Sequence, residues 1–139
     1  MTVVLVNWNG DRFLDRCLSA LLAQTVIPHE IILVDNASSD ASLNMVRHYP
    51  SVRLLAQNEN LGFARGNNVA IEAAATESEW IALLNPDAFP ELRWVDLNCR
   101  AMLQAHLSNR AGLAIAVRGV PEVARFCPVV IEKGIKSEF

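Results

Sequence analysis

The chain has 139 residues, 52% of them hydrophobic, a net charge of -3 and three cysteines. One domain around one hydrophobic core is expected at this length, and the mild acidity argues against nonspecific nucleic-acid binding, which needs a basic surface. Cys17, Cys99 and Cys127 are odd in number, widely spaced and lack a CxxC, so they read as reduced thiols rather than a disulfide framework or a zinc site.

Thr2–Val6 (TVVLV) is a β-branched run of the kind found in strands covered on both faces. It has no basic flank, so it is not read as a secretory signal, and no stretch reaches the ~18 apolar residues of a membrane span. Asn7–Gly10 breaks the run. Asp11 is placed to cap a helix whose apolar stripe is Phe13, Leu14, Cys17, Leu18, Leu21 and Leu22. Ile31–Val34 predicts a second buried strand that stops at the polar turn Asp35-Asn36-Ala37-Ser38-Ser39-Asp40. A short helix follows from about Ser39 to His48, with Leu43 and Val46 inward.

Val52–Ala56 predicts the third strand. Gln57–Asn68 begins as a loop, and Ala64–Ala75 is alanine-rich and helical. Trp80–Leu84 is the fourth strand. Leu92–Leu107 fits a helix with Trp94, Val95, Leu97 and Leu103 as candidate core. The βαβαβαβ order predicts a three-layer α/β/α sandwich around a mainly parallel sheet. From Ser108 the pattern weakens. Leu113–Val117 and Val129–Ile131 are candidate strands, and residues 108–139 read as a divergent tail of the same domain.

In a parallel sheet, ligands bind outside the carboxyl ends of the strands. Four polar segments are predicted there: Asn7–Gly10, Asp35–Asp40, the loop from Asn58 to Asn68, and Asn85–Ala88. One segment rich in Asn, Asp and Gly is common for turn reasons alone. Four on one edge, two of them presenting Asp off a buried strand, are better evidence of a site. The G-x-G-x-x-G and Walker A loops are missing, and no nucleophile elbow is present. His29, His48 and His106 fall in poor positions for a base. The remaining carboxylates and amides suit a hard cation and a nucleotide, since Mg2+ or Mn2+ takes one or two protein carboxylates plus substrate phosphates.

The motifs VNWNG, VDNASSD, NENLGFARGNN and LLNPDAFPE, in this order from about residue 3 to 95, resemble the family 2 glycosyltransferases of GT-A fold. The rhamnosyltransferase branch of bacterial polysaccharide biosynthesis is the most similar. The resemblance implies a nucleotide-diphosphate sugar donor (dTDP- or UDP-sugar), a divalent metal, Mg2+ or Mn2+, and inversion at the anomeric carbon. It implies that residues 1–107 form the nucleotide-sugar-binding domain. Val6, Asn7, Trp8 and Asn9 would lie against the base and ribose, Asp35 and Asn36 would read the base edge, and Gly62 and Asn68 would flank the loop near the nucleotide. Asp87 would be the metal ligand. Asn85 stands where a first aspartate often is, so one strong ligand is expected rather than two, and weak metal affinity without donor. Arg65 is a candidate phosphate contact.

The same resemblance implies a saccharide or lipid-linked acceptor, and a location in the cytoplasm or peripheral at the inner face of the membrane. An Asp or Glu beyond Asp87 would deprotonate the acceptor. Glu91, Asp96, Glu122 and Glu132 are the candidates, and none has the family's context, so no catalytic base is assigned. After about residue 100 the sequence does not resemble the acceptor half, which is expected to have been lost by truncation or frameshift. Three readings follow. The first is a glycosyltransferase. The second is a truncated nucleotide-sugar-binding domain without turnover, with which a homodimer is compatible. The third is a nucleotidyltransferase, which lacks its glycine-rich first loop here.

Overall fold

A computed structural model describes residues 1–107 and 129–132. The elements are β1 (Thr2–Asn7), α1 (Asp11–Leu22), β2 (Glu30–Asp35), α2 (Ser42–Val46), β3 (Val52–Ala56), α3 (Gly62–Ala73), β4 (Trp80–Leu84), α4 (Trp94–Leu107) and β5 (Val129–Glu132). The sheet order is β3-β2-β1-β4-β5. The first four strands are parallel, and β5 pairs antiparallel with β4. Leu113–Val117, the other strand expected in the tail, lies outside the described residues. Among the described residues no helix is long and apolar enough to cross a membrane.

The alternation of side chains along each strand builds two cores. Val3, Leu5, Ile31, Leu33, Ala82 and Leu84 point to one face, where Leu14, Cys17, Leu18 and Leu21 of α1, Val46 of α2 and Trp94, Val95 and Met102 of α4 cover them. Val4, Ile32, Val34 and Ile81 point to the other, under Ala70 of α3 and Ala74 just past its end. The α/β/α sandwich is therefore present, with α3 alone on its face among the described helices. Both strand faces are covered, which is why β1 and β2 read as continuous apolar runs rather than alternating ones.

Four details differ from the expectations. Asp11 does not cap α1: it is the first helical residue, and its N–H donates to Asp40 Oδ2 at 2.9 Å, so the cap comes from the β2–α2 turn. Phe13 is 38% exposed, at the edge of a stripe wider than α1 buries. On α4, Leu97 and Leu103 are exposed, and the inward positions belong to Trp94, Val95, Asn98 and Met102. Positions 94, 98 and 102 repeat every four residues, a narrower face than the leucines suggested. α2 is also shorter than predicted.

The long element α1 braces the connection from β4 to α4. Gln24, just past its end, donates Nε2–H to Glu91 O (2.7 Å) and Ala20 O (3.0 Å), and its Oε1 accepts Val95 N–H at 3.0 Å. The amide is buried with both ends satisfied, which fixes where α4 begins. Thr25 N–H adds a bond to Leu92 O at 2.9 Å.

Candidate functional site

The chain runs β1→β2→β3 outward in one direction, then crosses back to place β4 on the other side of β1. The strand order thus reverses between β1 and β4, and a crevice outside the carboxyl ends opens at such a point. The turns after β1 and β4 meet there. A Cβ built on Gly10 would lie 3.9 Å from Pro86 Cβ.

Asn85–Ala88 is a β-turn closed by Ala88 N–H to Asn85 O at 3.0 Å. Pro86 occupies its second position, where the fixed φ of proline is pre-set for a turn, and Asp87 follows. A buried strand thus ends in an exposed carboxylate on a restrained backbone. Cys17 lies beneath, its Sγ–H directed at Asn85 O at 3.9 Å. Burial, and after it the Asp87 carboxylate, pushes this thiol up to about 12, so it stays protonated at neutral pH.

The β1 and β2 turns are locked together. Asn7 Nδ2–H donates to Asp35 Oδ1 at 2.9 Å and to Ser38 Oγ at 3.2 Å. Asp35 Oδ2 accepts Ser38 N–H at 2.9 Å, so both carboxylate oxygens are held. Asn36 N–H donates to Asn7 O at 2.8 Å, continuing the β1–β2 ladder. Asn9 sits at φ 51°, in the left-handed region that asparagine tolerates. Its Oδ1 accepts Ser39 N–H at 2.8 Å and its N–H donates to Ser38 Oγ at 2.9 Å. Asp40 spans Asp11 N–H and Ser42 N–H. Burial would raise its pKa, but the hydrogen bonds from Ser42 and the Asp11 backbone outweigh that and hold it below the ordinary carboxylate value.

α3 joins the cluster through Asn36, whose Nδ2–H donates to Gly62 O at 3.2 Å. Gly62, at φ 75°, starts the helix in a conformation that glycine adopts without penalty, and Asn60 Oδ1 accepts its N–H at 2.8 Å. Gly66 brings α3 against the sheet: a Cβ there would stand 2.9 Å from Val6 Cγ1 and 3.3 Å from Asn36 Nδ2. The side-chain amide oxygens Oδ1 of Asn7 and Asn36 are buried without a hydrogen-bond partner.

The structure brings Val6, Asn7, Asn9, Asp35, Asn36 and Gly62 into one bonded or packed cluster. Trp8 stands beside it with its indole 60% exposed. Asp87 is on the neighbouring turn. Asn68 and Arg65 are exposed on α3. Two residues from Gly66 is about 200° around a helix, so Asn68 lies on the side away from the sheet, and its neighbour Asn67 is the buried one, bonded to Phe63 O at 2.9 Å. Sequence reasoning missed Ser38, Gly10, Gly66 and Asn67. The D-x-x-S spacing of Asp35 and Ser38 is the one local signal among them, since an Asp side chain that turns onto the backbone a few residues on is a known turn device.

Among the described residues no group of three or more His, Cys, Asp or Glu gathers to hold a metal. Asp87 is exposed and meets no hydrogen-bond donor among them. A hard dication is content with one such oxygen when phosphates and waters complete its shell, so the residue set fits Mg2+ or Mn2+ shared with a ligand.

The base candidates are placed elsewhere. Asp96 is paired with Arg93 (2.9 Å) and Arg100 (2.7 Å), and these hydrogen bonds hold its pKa below the ordinary value, which weakens it as a base. Glu91, four residues past Asp87 in the chain, is tied through its backbone carbonyl to Gln24 beyond the end of α1 (2.7 Å). Glu132 pairs in register with Trp80, at the end of β4 opposite Asp87. Glu122 lies outside the described residues.

A family model described as glycosyl transferase family 2 matches residues 2–125. An N-acetylglucosaminyl-diphospho-decaprenol L-rhamnosyltransferase of Mycobacterium tuberculosis is 32% identical over 115 residues, which is 76% of this chain and 36% of that protein. The succinoglycan biosynthesis protein ExoO of Rhizobium meliloti is 34% identical over 89 residues, 63% of this chain and 25% of that one. The chain therefore spans about a third or less of the length of these relatives. Among solved structures, S. aureus TarS 1-349 in complex with UDP superposes with a TM-score of 0.68 at 21% identity, covering 86% of this chain and 37% of that one. The mannosyltransferase PcManGT from Pyrobaculum calidifontis, in complex with GDP-Man and Mn2+, superposes with a TM-score of 0.65 at 24% identity, covering 73% and 31%. These two establish the GT-A fold.

Proposed function

Because the chain belongs to glycosyl transferase family 2, we propose that it binds the nucleotide-diphosphate sugar of a glycosyl transfer at the β1/β4 crevice. The observation that carries this is the juxtaposition of the Asn7–Asp35–Asn36 cluster with the free Asp87 carboxylate across the switch point. The cluster is rigid and faces the base and ribose. Asp87 would hold a divalent metal, which would supply Lewis-acid stabilisation of the negative charge on the leaving nucleoside diphosphate. Pro86 limits the backbone freedom of the turn, so less entropy is lost when Asp87 engages. The rhamnosyltransferase relative supports rhamnose as the sugar and a lipid-linked acceptor, while the dTDP carrier and inversion are taken from the resemblance. Family membership displaces the nucleotidyltransferase alternative.

Calorimetric titration of dTDP and UDP with and without Mn2+ tests the reading. Tighter binding with Mn2+ is expected, and Asp87→Ala is expected to lose the Mn2+-dependent part. Equal affinity of Asp87→Ala and wild type would overturn the metal assignment. A second reading, binding without turnover by this length of chain, is favoured by the engagement of Asp96 with Arg93 and Arg100 and by the placement of Glu132 at the opposite end of β4 from Asp87. Sustained sugar release from dTDP-rhamnose with an acceptor present would exclude it.

A further inference from the structure

The turn that presents Asp87 is held from one side by α1. Gly10 stands at Pro86, Cys17 beneath Asn85 O, and Gln24 at Glu91 and Val95. Between these, Arg16 lays its guanidinium over the Phe89 ring, 4.0 Å from the centroid. Phe89 is two residues past Asp87, and Ala88 between them is buried. Arg16 and Cys17 are adjacent in α1, so neighbouring residues of one rigid helix grip the segment on both sides of Asp87. Both Gln24 ends are satisfied, which fixes the far end of the segment. Toward α1, the near end carries a weak thiol contact at Asn85 O, and the Arg16–Phe89 stack closes the gap between the two ends.

We infer that Arg16 and Phe89 are a positioning pair for the metal-binding turn: their stack keeps Asp87 at the height where a cation and the donor diphosphate meet. This rests on the reading of Asp87 as the metal ligand. Arg16 is exposed and is engaged in no ion pair among the described residues, so its substitution leaves the two cores untouched. A residue of merely structural value would weaken nucleotide binding alike with and without metal. A positioning residue acts on the metal-dependent part alone.

The test uses the full chain, UDP and MnCl2, with UDP affinity measured by calorimetry in Mn2+ and in EDTA. Arg16→Met keeps the stem and removes the cation, Arg16→Lys retains a cation, and Phe89→Leu removes the ring. Arg16→Met and Phe89→Leu are expected to bind UDP about threefold more weakly in Mn2+, the effect of one exposed cation–π contact, and unchanged in EDTA. Arg16→Lys is expected to restore most of the loss. The double variant is expected to lose no more than the worse single one, since the two act through one contact. Wild-type binding that ignores Mn2+ overturns the metal reading and this inference with it. Metal-dependent wild-type binding with unchanged variants, or losses equal in Mn2+ and EDTA, overturns the positioning pair alone.

Discussion

Asp35 is 1% exposed and carries a charge that the apolar ends of β1 and β2 would not tolerate unpaired. Asn7 Nδ2–H and Ser38 N–H satisfy it, so the amide at position 7 serves first to hold the carboxylate. Asn7→Ala removes one of two charge-assisted bonds and also removes the unpartnered Asn7 Oδ1, so the two effects partly offset. The net cost is expected to be about 1–2 kcal/mol. Asn7→Asp keeps the shape and sets two buried carboxylates side by side. Its cost at pH 7.5 is expected to exceed about 3 kcal/mol. Urea midpoints of the two variants check this, and Asn7→Asp no worse than Asn7→Ala at pH 7.5 would refute the carboxylate-holding role. The rim membership of Asn7 and Asp35 was legible in the sequence because both follow buried strands. Their mutual bond was not, since it joins residues 28 apart through strand pairing. Asn67 and Asn68 show the same limit: a single step turns a helix by about 100°, and no local pattern tells which of two asparagines faces inward.

Among the elements, β1 and β2 were legible because their apolar runs are buried on both faces, and α1 because its apolar stripe repeats at the helical period. α4 was misread at Leu97 and Leu103 because a leucine-rich helix offers more apolar surface than its neighbour covers. The end of the sheet opposite the site shows how elements are tied without a sequence signal. Glu30 at the start of β2 accepts Ala75 N–H past the end of α3 at 3.0 Å, pairs with Arg53 of β3 at 3.1 Å and accepts Thr2 Oγ1–H of β1 at 3.4 Å. Burial would raise its pKa, but the Ala75 and Arg53 hydrogen bonds prevail and hold it below the ordinary value. A depressed carboxylate contributes stability that is present above its unfolded pKa and is lost as pH falls through the folded one. Glu30→Gln is therefore expected to cost on the order of 1 kcal/mol at pH 7, since Arg53 is half exposed and solvent screens the pair. The wild-type advantage over Glu30→Gln should shrink below about pH 4.5, near the unfolded value for Glu. Denaturant melts across pH 7 to 3 measure it, and a constant difference over that range would show that the charge at position 30 is unimportant.

For the whole molecule, the order of strands decides where the chemistry can sit, and nothing in the alternating pattern encodes it. Four βα units predict a common carboxyl edge. Only the crossing from β3 to β4 past β1 makes the Asn7 and Asn85 turns neighbours. Given that neighbourhood, metal and nucleotide should stabilise the fold jointly. A single free carboxylate holds Mn2+ weakly, so Mn2+ alone is expected to move Tm little. A nucleotide brings the phosphate oxygens that complete the cation's shell. At about 100 times its Kd a ligand adds about 2.7 kcal/mol to stability, roughly 10 °C in Tm for a domain of this size. UDP or dTDP with Mn2+ should therefore raise Tm well beyond the sum of either alone, and Asp87→Ala should reduce that joint shift to the nucleotide-only value. Scanning fluorimetry of the four conditions decides it. A Tm shift that Mn2+ produces without nucleotide would mean a metal site already complete in the protein, and additive shifts would place cation and nucleotide in separate sites.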